Sequence, residues 1–367
     1  MSLTKKVLIQ VRDLRVGSGI ATCIMNYYNN IIQSGFQVDF LMNRIIDSPY
    51  MDMIIEKGSN TYVLPVDTNK PNIKNFKYIK EVMENGYDIL HVNISGLNAC
   101  IALRCAKKCG VQSRIYHTHT IFEQYSVKSW LRSQLYVKTS VRYATYYAAC
   151  SKHAARSLFG DNDFFLIPNV FDVDKFSFNA ASRERLRKEL SLDGKIVLGA
   201  VGRLAPSKNP LLTIKIFQEL YSLDKSYAMV WAGDGELKEK VEKYIQANGL
   251  TNHIRLLGNR NDISDIYSAM DIFVLPTKFE GLGLVFLEAQ ASGLMCFASD
   301  QIPDDVLVTE NIHTVSLESS ISEWVKVITS YRNYDRSSHV EDVKIAGFDI
   351  TSGQDAVSQM YMIVAGK

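Results

Sequence analysis

Residues Ile196 through Leu220 read IVLGAVGRLAPSKNPLLTIKIFQEL, a strand, a glycine turn and a helix in succession. The first six residues, Ile196–Val201, form a short apolar run, the pattern of a strand buried on both faces. Gly202-Arg203 ends that strand, and a helix is expected over Pro210–Leu220. The alternation continues downstream. A strand over Tyr227–Ala232 ends in Gly233-Asp234-Gly235, and a helix over Glu236–Asn248 stops at Gly249. A strand over Ile254–Leu257 ends at Gly258 and leads to a helix over Ile263–Met270. A strand over Ile272–Leu275 ends at Pro276, and a helix over Leu284–Ser292 stops at Gly293. Strands separated by crossover helices at this spacing build a parallel sheet.

The first half follows the same plan. Val7–Val11 reads as a strand, followed by Gly17-Ser18-Gly19 and a helix through Gln33. Further strands are expected at Val38–Met42, Thr61–Leu64, Ile89–Val92, Arg114–His117, Ala148–Cys150 and Phe164–Ile167, with a helix over Leu97–Cys109. The expectation is an α/β chain of two Rossmann-like, doubly wound parallel-sheet domains, residues 1–170 and 171–350, facing a central cleft and joined near Pro168–Ser177. Ligands of such sheets sit at the carboxyl ends of the strands. That is where His119, Arg203, Glu280 and the glycines fall.

Composition sets the outer limits. Of 367 residues, 47% are hydrophobic and 22% charged, which fits a globular enzyme and excludes wholesale disorder. No apolar run approaches the roughly 20 residues that span a bilayer. The apolar N-terminal run is too short for a signal peptide, and six cysteines without an export signal point to a reducing, cytoplasmic setting. Residues 1–170 carry 20 Lys/Arg and 12 Asp/Glu, and residues 171–367 carry 21 and 27; the balances of +8 and −6 sum to the whole-chain +2. The basic half is the one suited to an anionic surface.

Two segments carry chemistry. In Phe279-Glu280-Gly281-Leu282-Gly283-Leu284-Val285-Phe286-Leu287-Glu288, one carboxylate lies in a glycine loop and the other one to two turns into the next helix. The helix start offers N–H groups to phosphate, and the carboxylates accept hydrogen bonds from sugar hydroxyls. In Gly202-Arg203-Leu204-Ala205-Pro206-Ser207-Lys208-Asn209, Arg203 and Lys208 lie five residues apart on one loop and can reach one diphosphate.

Together these segments resemble the retaining nucleotide-sugar glycosyltransferases of family 4, of the two-Rossmann (GT-B) type, over nearly the whole chain. Glu280 and Glu288 match that family's E-x7-E motif, and Gly202-Arg203 with Lys208-Asn209 its G-R…K-N loop. Gly258-Asn259-Arg260 with Asp262 resembles its base-binding turn, and Ile167-Pro168-Asn169 with Asp172 its interdomain element. Arg114-Ile115-Tyr116-His117-Thr118-His119 and Asn26-Tyr27-Tyr28 are similar to its capsular and exopolysaccharide branch. The resemblance implies that Arg203 and Lys208 hold the donor diphosphate, that Glu288 binds ribose and that Glu280 binds the donor sugar. The backbone of Gly202, Gly283, Leu284 and Val285 would contact the donor. Arg260 would stand at the base, and Gly17 and Gly19 would approach the phosphate. His119 would reach the sugar from the acceptor-side domain, while His117 reads as structural. The helix over 351–364, with Ala356, Met360, Tyr361 and Ile363 as its apolar members, would return to the first domain. The implied reaction moves a sugar from a nucleotide sugar, a UDP-sugar foremost, to a saccharide acceptor linked to polyprenyl diphosphate. It proceeds with retention, in capsular or exopolysaccharide synthesis, with no metal or other cofactor.

The chain departs from the family at Ala21, where an acidic residue is common, and at Leu294-Met295, where a proline is. The DxD triplets Asp161-Asn162-Asp163 and Asp172-Val173-Asp174 are of the kind that binds a divalent metal through nucleotide phosphates, but they flank the hinge, away from the proposed phosphate loop, and no metal is expected there. Between Lys107 and Gly160 there are nine Lys/Arg and one acid, interleaved with aromatics, a composition suited to peripheral contact with an anionic membrane; it would also suit single-stranded nucleic acid, which is not the partner expected here. Two other readings stay open on these residues: a GT-B nucleotide-sugar epimerase or phosphorylase, and a non-catalytic nucleotide-sugar-binding or nucleic-acid-binding protein.

Overall fold

The computed structural model describes residues 4–15, 18–68, 70, 72–119, 127–331, 334 and 336–366, with residues 127–130 described by backbone alone. Gly17 lies outside the described residues. The chain divides into two units, Met1–Phe171 with Phe348–Lys367, and Asp172–Gly347.

Unit 1 holds β1 (Lys5–Val11), β2 (Phe36–Met42), β3 (Thr61–Val63), β4 (Ile89–Val92), β5 (Ser113–Thr118), β6 (Tyr146–Ala149) and β7 (Phe165–Leu166). They form one sheet in the order β3-β2-β1-β4-β5-β6-β7, and every pairing is parallel. Unit 2 holds β8 (Ile196–Val201), β9 (Tyr227–Ala232), β10 (Ile254–Gly258), β11 (Ile272–Leu275), β12 (Met295–Ser299) and β13 (Ile312–Val315), in the order β10-β9-β8-β11-β12-β13. These pairings are parallel too. In each sheet the strand order reverses at the first strand. The crevice outside the carboxyl ends at that switch point is where doubly wound sheets bind ligands. Helices cover both faces, so β9 and β11 are buried along their whole length.

The apolar runs read from the sequence form strands as expected. The helices Pro49–Glu56, Ile73–Met83 and Ala180–Glu189 were not anticipated, nor were Ile321–Ser330 and β12 and β13. The first two are short and carry their start signals in side-chain caps, Ser48 and Asn72, rather than in a long periodic stripe.

The last helix, Ile350–Val364, belongs to unit 1 and packs on the helix Gly19–Gln33. Phe171 N–H donates to Phe348 C=O at 3.1 Å, so the chain leaves and re-enters unit 1 at one place. Gln354 Nε2 donates to Asn26 C=O at 3.3 Å, and Ser358 Oγ to Asn30 Oδ1 at 3.1 Å. The buried face is Gly353, Val357, Met360, Tyr361 and Val364. This corrects the sequence reading of its apolar members, because Ile363 is 56% exposed. Gly353 is required by close approach. A Cβ there would lie 2.5 Å from Val170 Cγ1 and 2.8 Å from Tyr27 Cε1.

Candidate active site

In unit 2 the loops after β8 and β11 flank the switch point. Thr277 Oγ1 donates to Ser207 C=O at 2.8 Å, and Lys278 N–H donates to the same carbonyl at 2.7 Å. These bonds tie the two loops together, although they lie about 70 residues apart in the chain. Asn209, left-handed at φ +52°, turns the chain from Lys208 into the helix Pro210–Leu223. The result is an ion pair between Lys208 Nζ and Glu280 Oε1, with side chains only 17% and 9% exposed.

Gly283, left-handed at φ +92°, caps the helix Leu284–Ala291 and has no side chain to satisfy its first N–H groups. Those groups, with the positive end of the helix dipole, are suited to an anion. Glu288, half-buried one turn further in, accepts from Tyr267 Oη at 2.8 Å. Burial pushes the Glu288 carboxyl up to about 7, against the Tyr267 hydrogen bond and the charge of Lys208, both of which favour the carboxylate. The same burial, together with the Glu288 charge, raises the Tyr267 phenol. Tyr267 was not singled out in the sequence; only its position one helix earlier, facing Glu288, reveals it.

The loops after β8, β9 and β10 are joined edge to edge. Gly202 N–H donates to Ala232 C=O at 2.9 Å, and Gly233 N–H to Gly258 C=O at 2.7 Å. A Cβ on Gly233, at φ +132°, would meet Gly202 O at 2.1 Å, so only glycine fits. Arg203 leaves this ledge 73% exposed and pairs with Glu236 at 2.9 Å. Arg260 forms a two-pronged pair with Asp262, 2.8 and 2.7 Å, on its own loop. The structure thus brings Lys208, Glu280, Gly283 and Glu288 together, while Arg203 and Arg260 are held by other acids. The Asp172-Val173-Asp174 triplet is also spent on cations, Asp172 on Lys175 at 2.9 Å and Asp174 on Lys344 at 2.8 Å.

In unit 1 a cavity of about 280 Å³ opens at the carboxyl ends of β1, β4 and β5. Arg12, Asp13, Asn93, His117 and His119 are among its walls. Asp13 is buried and holds Arg15 at 3.2 Å and Arg44 at 2.9 Å. Gly19 is exposed at the first position of its helix, whose N-cap is Ser18. His119 is buried, with Nδ1 2.9 Å from Asn169 Oδ1 and Nε2 2.9 Å from Asn93 Oδ1. Both ring nitrogens of the histidine singled out from the sequence are therefore engaged inside unit 1. Burial lowers it to about 4, so it is neutral at physiological pH. Among the described residues no group of three or more His, Cys, Asp and Glu is placed to hold a metal ion. No helix among them is long and apolar enough to cross a membrane.

Comparison with known proteins gives a consistent picture. Residues 182–332 match the family model described as Glycosyl transferases group 1. The chain is 28% identical over 386 residues to the putative glycosyltransferase EpsF of Bacillus subtilis (strain 168), spanning 100% of this chain and 98% of that protein. It is 27% identical over 382 residues to the UDP-Gal:alpha-D-GlcNAc-diphosphoundecaprenol alpha-1,3-galactosyltransferase of Escherichia coli, spanning 98% and 97%. The crystal structure of Anabaena HepE in complex with UDP and glucose superposes with a TM-score of 0.77 at 17% identity, covering 97% of this chain and 99% of that one. The two-Rossmann GT-B fold is common to both.

Proposed function

We propose that this chain, whose residues 182–332 match the group 1 glycosyl transferase family model, is a glycosyltransferase that moves a sugar from a UDP-sugar to a saccharide linked to polyprenyl diphosphate. In this reading the transfer retains anomeric configuration and serves the synthesis of a surface polysaccharide. The observation that carries it is the constellation in unit 2: a cation at Lys208, free helix N–H groups at Leu284 and Val285, and carboxylates at Glu280 and Glu288. A nucleotide sugar presents the complement, a diphosphate between two sets of hydroxyls.

The roles follow from chemistry. Lys208 and the helix start stabilise the charge that grows on the leaving UDP, with Arg203 swinging from Glu236 to join them. Glu288 accepts from the ribose hydroxyls and Glu280 from those of the donor sugar. Arg260 stands near the base, and the backbone of Gly202 and Gly283 through Val285 lies along sugar and phosphate. From the acceptor-side domain, Gly17 and Gly19 approach the phosphate and His119 the donor sugar. The bond from the anomeric carbon to the β-phosphate oxygen breaks. An acceptor hydroxyl oxygen bonds to that carbon on the same face, and its proton passes to the departing phosphate oxygen.

Membrane contact, on the cytoplasmic face, is part of the proposal. On the helix Val127–Tyr143, Leu131 and Leu135 are 57% and 62% exposed, and Lys138 and Arg142 continue the same stripe at helical spacing. Two leucines beside two cations suit an anionic bilayer surface.

The test offers UDP-galactose, UDP-glucose and UDP-N-acetylglucosamine with a short-chain prenyl diphosphate N-acetylglucosamine as acceptor. The expected result is acceptor-dependent release of UDP and a product whose proton coupling shows the donor's α configuration. Free sugar or an epimer released without acceptor would refute transfer in favour of an epimerase or a hydrolase.

A further inference from the structure

Three imidazoles line up behind the unit 1 cavity. Tyr361 Oη, on the last helix, lies 2.8 Å from His91 Nδ1, and His91 Nε2 lies 3.1 Å from His117 Nδ1. His117 is 2% exposed, and its Nε2 has no partner in the protein. A neutral imidazole has one N–H and one lone pair, so the chain can be filled in two ways. If His91 donated to Tyr361 and His117 to His91, both the tyrosine hydrogen and the His117 Nε2 lone pair would be stranded. If Tyr361 donates to His91 Nδ1, His91 Nε2–H donates to His117 Nδ1, and the single unmet group is an N–H at His117 Nε2. A stranded buried donor is costly, so the arrangement with one orphan wins over the one with two. Burial, the largest cause, lowers all three histidines, which keeps them neutral.

His119 is closed off by contrast. The Asn93 amide nitrogen donates to His91 C=O at 3.3 Å, which turns its oxygen to His119 Nε2–H. The His119 Nδ1 lies 2.9 Å from the Asn169 side-chain amide. The cavity also offers Asn43, whose buried Oδ1 has no partner, and Arg12, whose guanidinium makes no ion pair among the described residues. His117, Asn43 and Arg12 line the same cavity, and an N–H, a carbonyl oxygen and a guanidinium are the groups that would pair with the hydroxyls and phosphate of a saccharide phosphate.

We propose that the unit 1 cavity takes the phosphate-bearing saccharide of the acceptor, that His117 Nε2–H donates to one of its sugar oxygens, and that Tyr361 acts through His91 to hold His117 in the tautomer that can donate. The proposal rests on the transferase reading given above. His117 touches the substrate, and His91 and Tyr361 are positioning residues.

The test separates the two claims. On protein with ¹⁵N-labelled histidine, long-range proton–nitrogen correlation spectra read each tautomer without any activity. His91 and His117 are expected as Nε2–H tautomers. N-acetylglucosamine 1-phosphate is expected to shift the His117 Nε2–H signal while leaving that of His253, in unit 2, in place. Tyr361→Phe frees His91 Nδ1 and should mix the His91 and His117 tautomers. In turnover it should raise the acceptor KM about threefold to tenfold, the worth of one hydrogen bond, with the UDP-sugar KM unchanged. His117→Gln retains a donor and should keep more acceptor affinity than His117→Phe. An Nδ1–H tautomer at His117 would overturn the proposal. So would a His117 signal indifferent to the sugar phosphate, as expected if a single water in the neighbouring void of about 10 Å³ takes its hydrogen. Failure of transfer to every acceptor, with the tautomers and the shift as expected, would sink the transferase reading and leave the saccharide-phosphate site standing.

Discussion

Nucleotide-sugar affinity should depend on pH through Glu288. In the ligand-free protein, burial holds this carboxyl at about 7 instead of its ordinary 4.5. Ribose hydroxyls donate to a carboxylate, so binding selects the ionised form. The apparent dissociation constant then scales as one plus ten to the power of pKa minus pH. That factor is about 11 at pH 6 and about 1.1 at pH 8, roughly a tenfold gain in affinity across the interval. The unfolded chain ionises Glu288 near its ordinary value. Stability from this group is therefore complete below that value and is lost as pH rises toward 7, and bound nucleotide should restore part of it. The assay is calorimetric titration with UDP-glucose, whose diphosphate does not titrate in this range, in two buffers of different ionisation enthalpy. Close to one proton should leave per binding event at pH 6 and almost none at pH 8. Glu288→Gln should bind more weakly at pH 8 and show a flat profile. A flat profile in the wild type, or the same slope in Glu288→Gln, refutes the reasoning.

The other expectations use separate features. Lys208→Ala should weaken UDP by about 10- to 100-fold, the loss of a charge-assisted contact in a partly dry site, and Arg203→Ala by less because that side chain is largely exposed; equal losses by titration would contradict the geometry. Glu280→Gln should lower turnover yet tighten UDP modestly, since Lys208 no longer leaves a carboxylate to meet the phosphate, and weaker UDP binding in this variant would show that the pair does not compete with ligand. Gly353→Ala sets helix propensity, which favours alanine by about 1 kcal/mol, against overpacking on Val170 and Tyr27, which costs about 1–3 kcal/mol; the melting temperature should fall, and a rise would mean that the contact yields. Anionic liposomes should bind the protein and release it at high salt, and replacing Leu131, Leu135, Lys138 and Arg142 with Ser should abolish binding without changing UDP affinity; unchanged sedimentation would return the stripe to ordinary solvated surface.

The alternation of strand and helix, the parallel sheets, and the loops that carry ligand chemistry were all legible in the amino-acid order. Those features are written locally: six apolar residues such as Ile196–Val201 make a buried strand wherever they occur, and a glycine after them marks the turn. That order also singled out Lys208, Glu280 and Glu288, because residue types at fixed spacing on a strand end constrain what they can reach. How those residues are shared out depends on the packing of the strands. Arg203 and Lys208 are neighbours in the chain, yet one pairs with Glu236 and the other with Glu280, because β8 lies between β9 and β11 and each loop edge meets a different acid. Tyr267 joins Glu288, and Gly353 admits the last helix to the surface made by Tyr27 and Val170, through contacts that no local pattern encodes. The histidines make the point most sharply. His117 and His119 sit two residues apart on the same face of one strand end. Which nitrogen stays unmet depends on Asn93, Asn169, His91 and a tyrosine 244 residues further along, at position 361. An imidazole's role is set by the partner of its other nitrogen, and that partner is brought there only by folding.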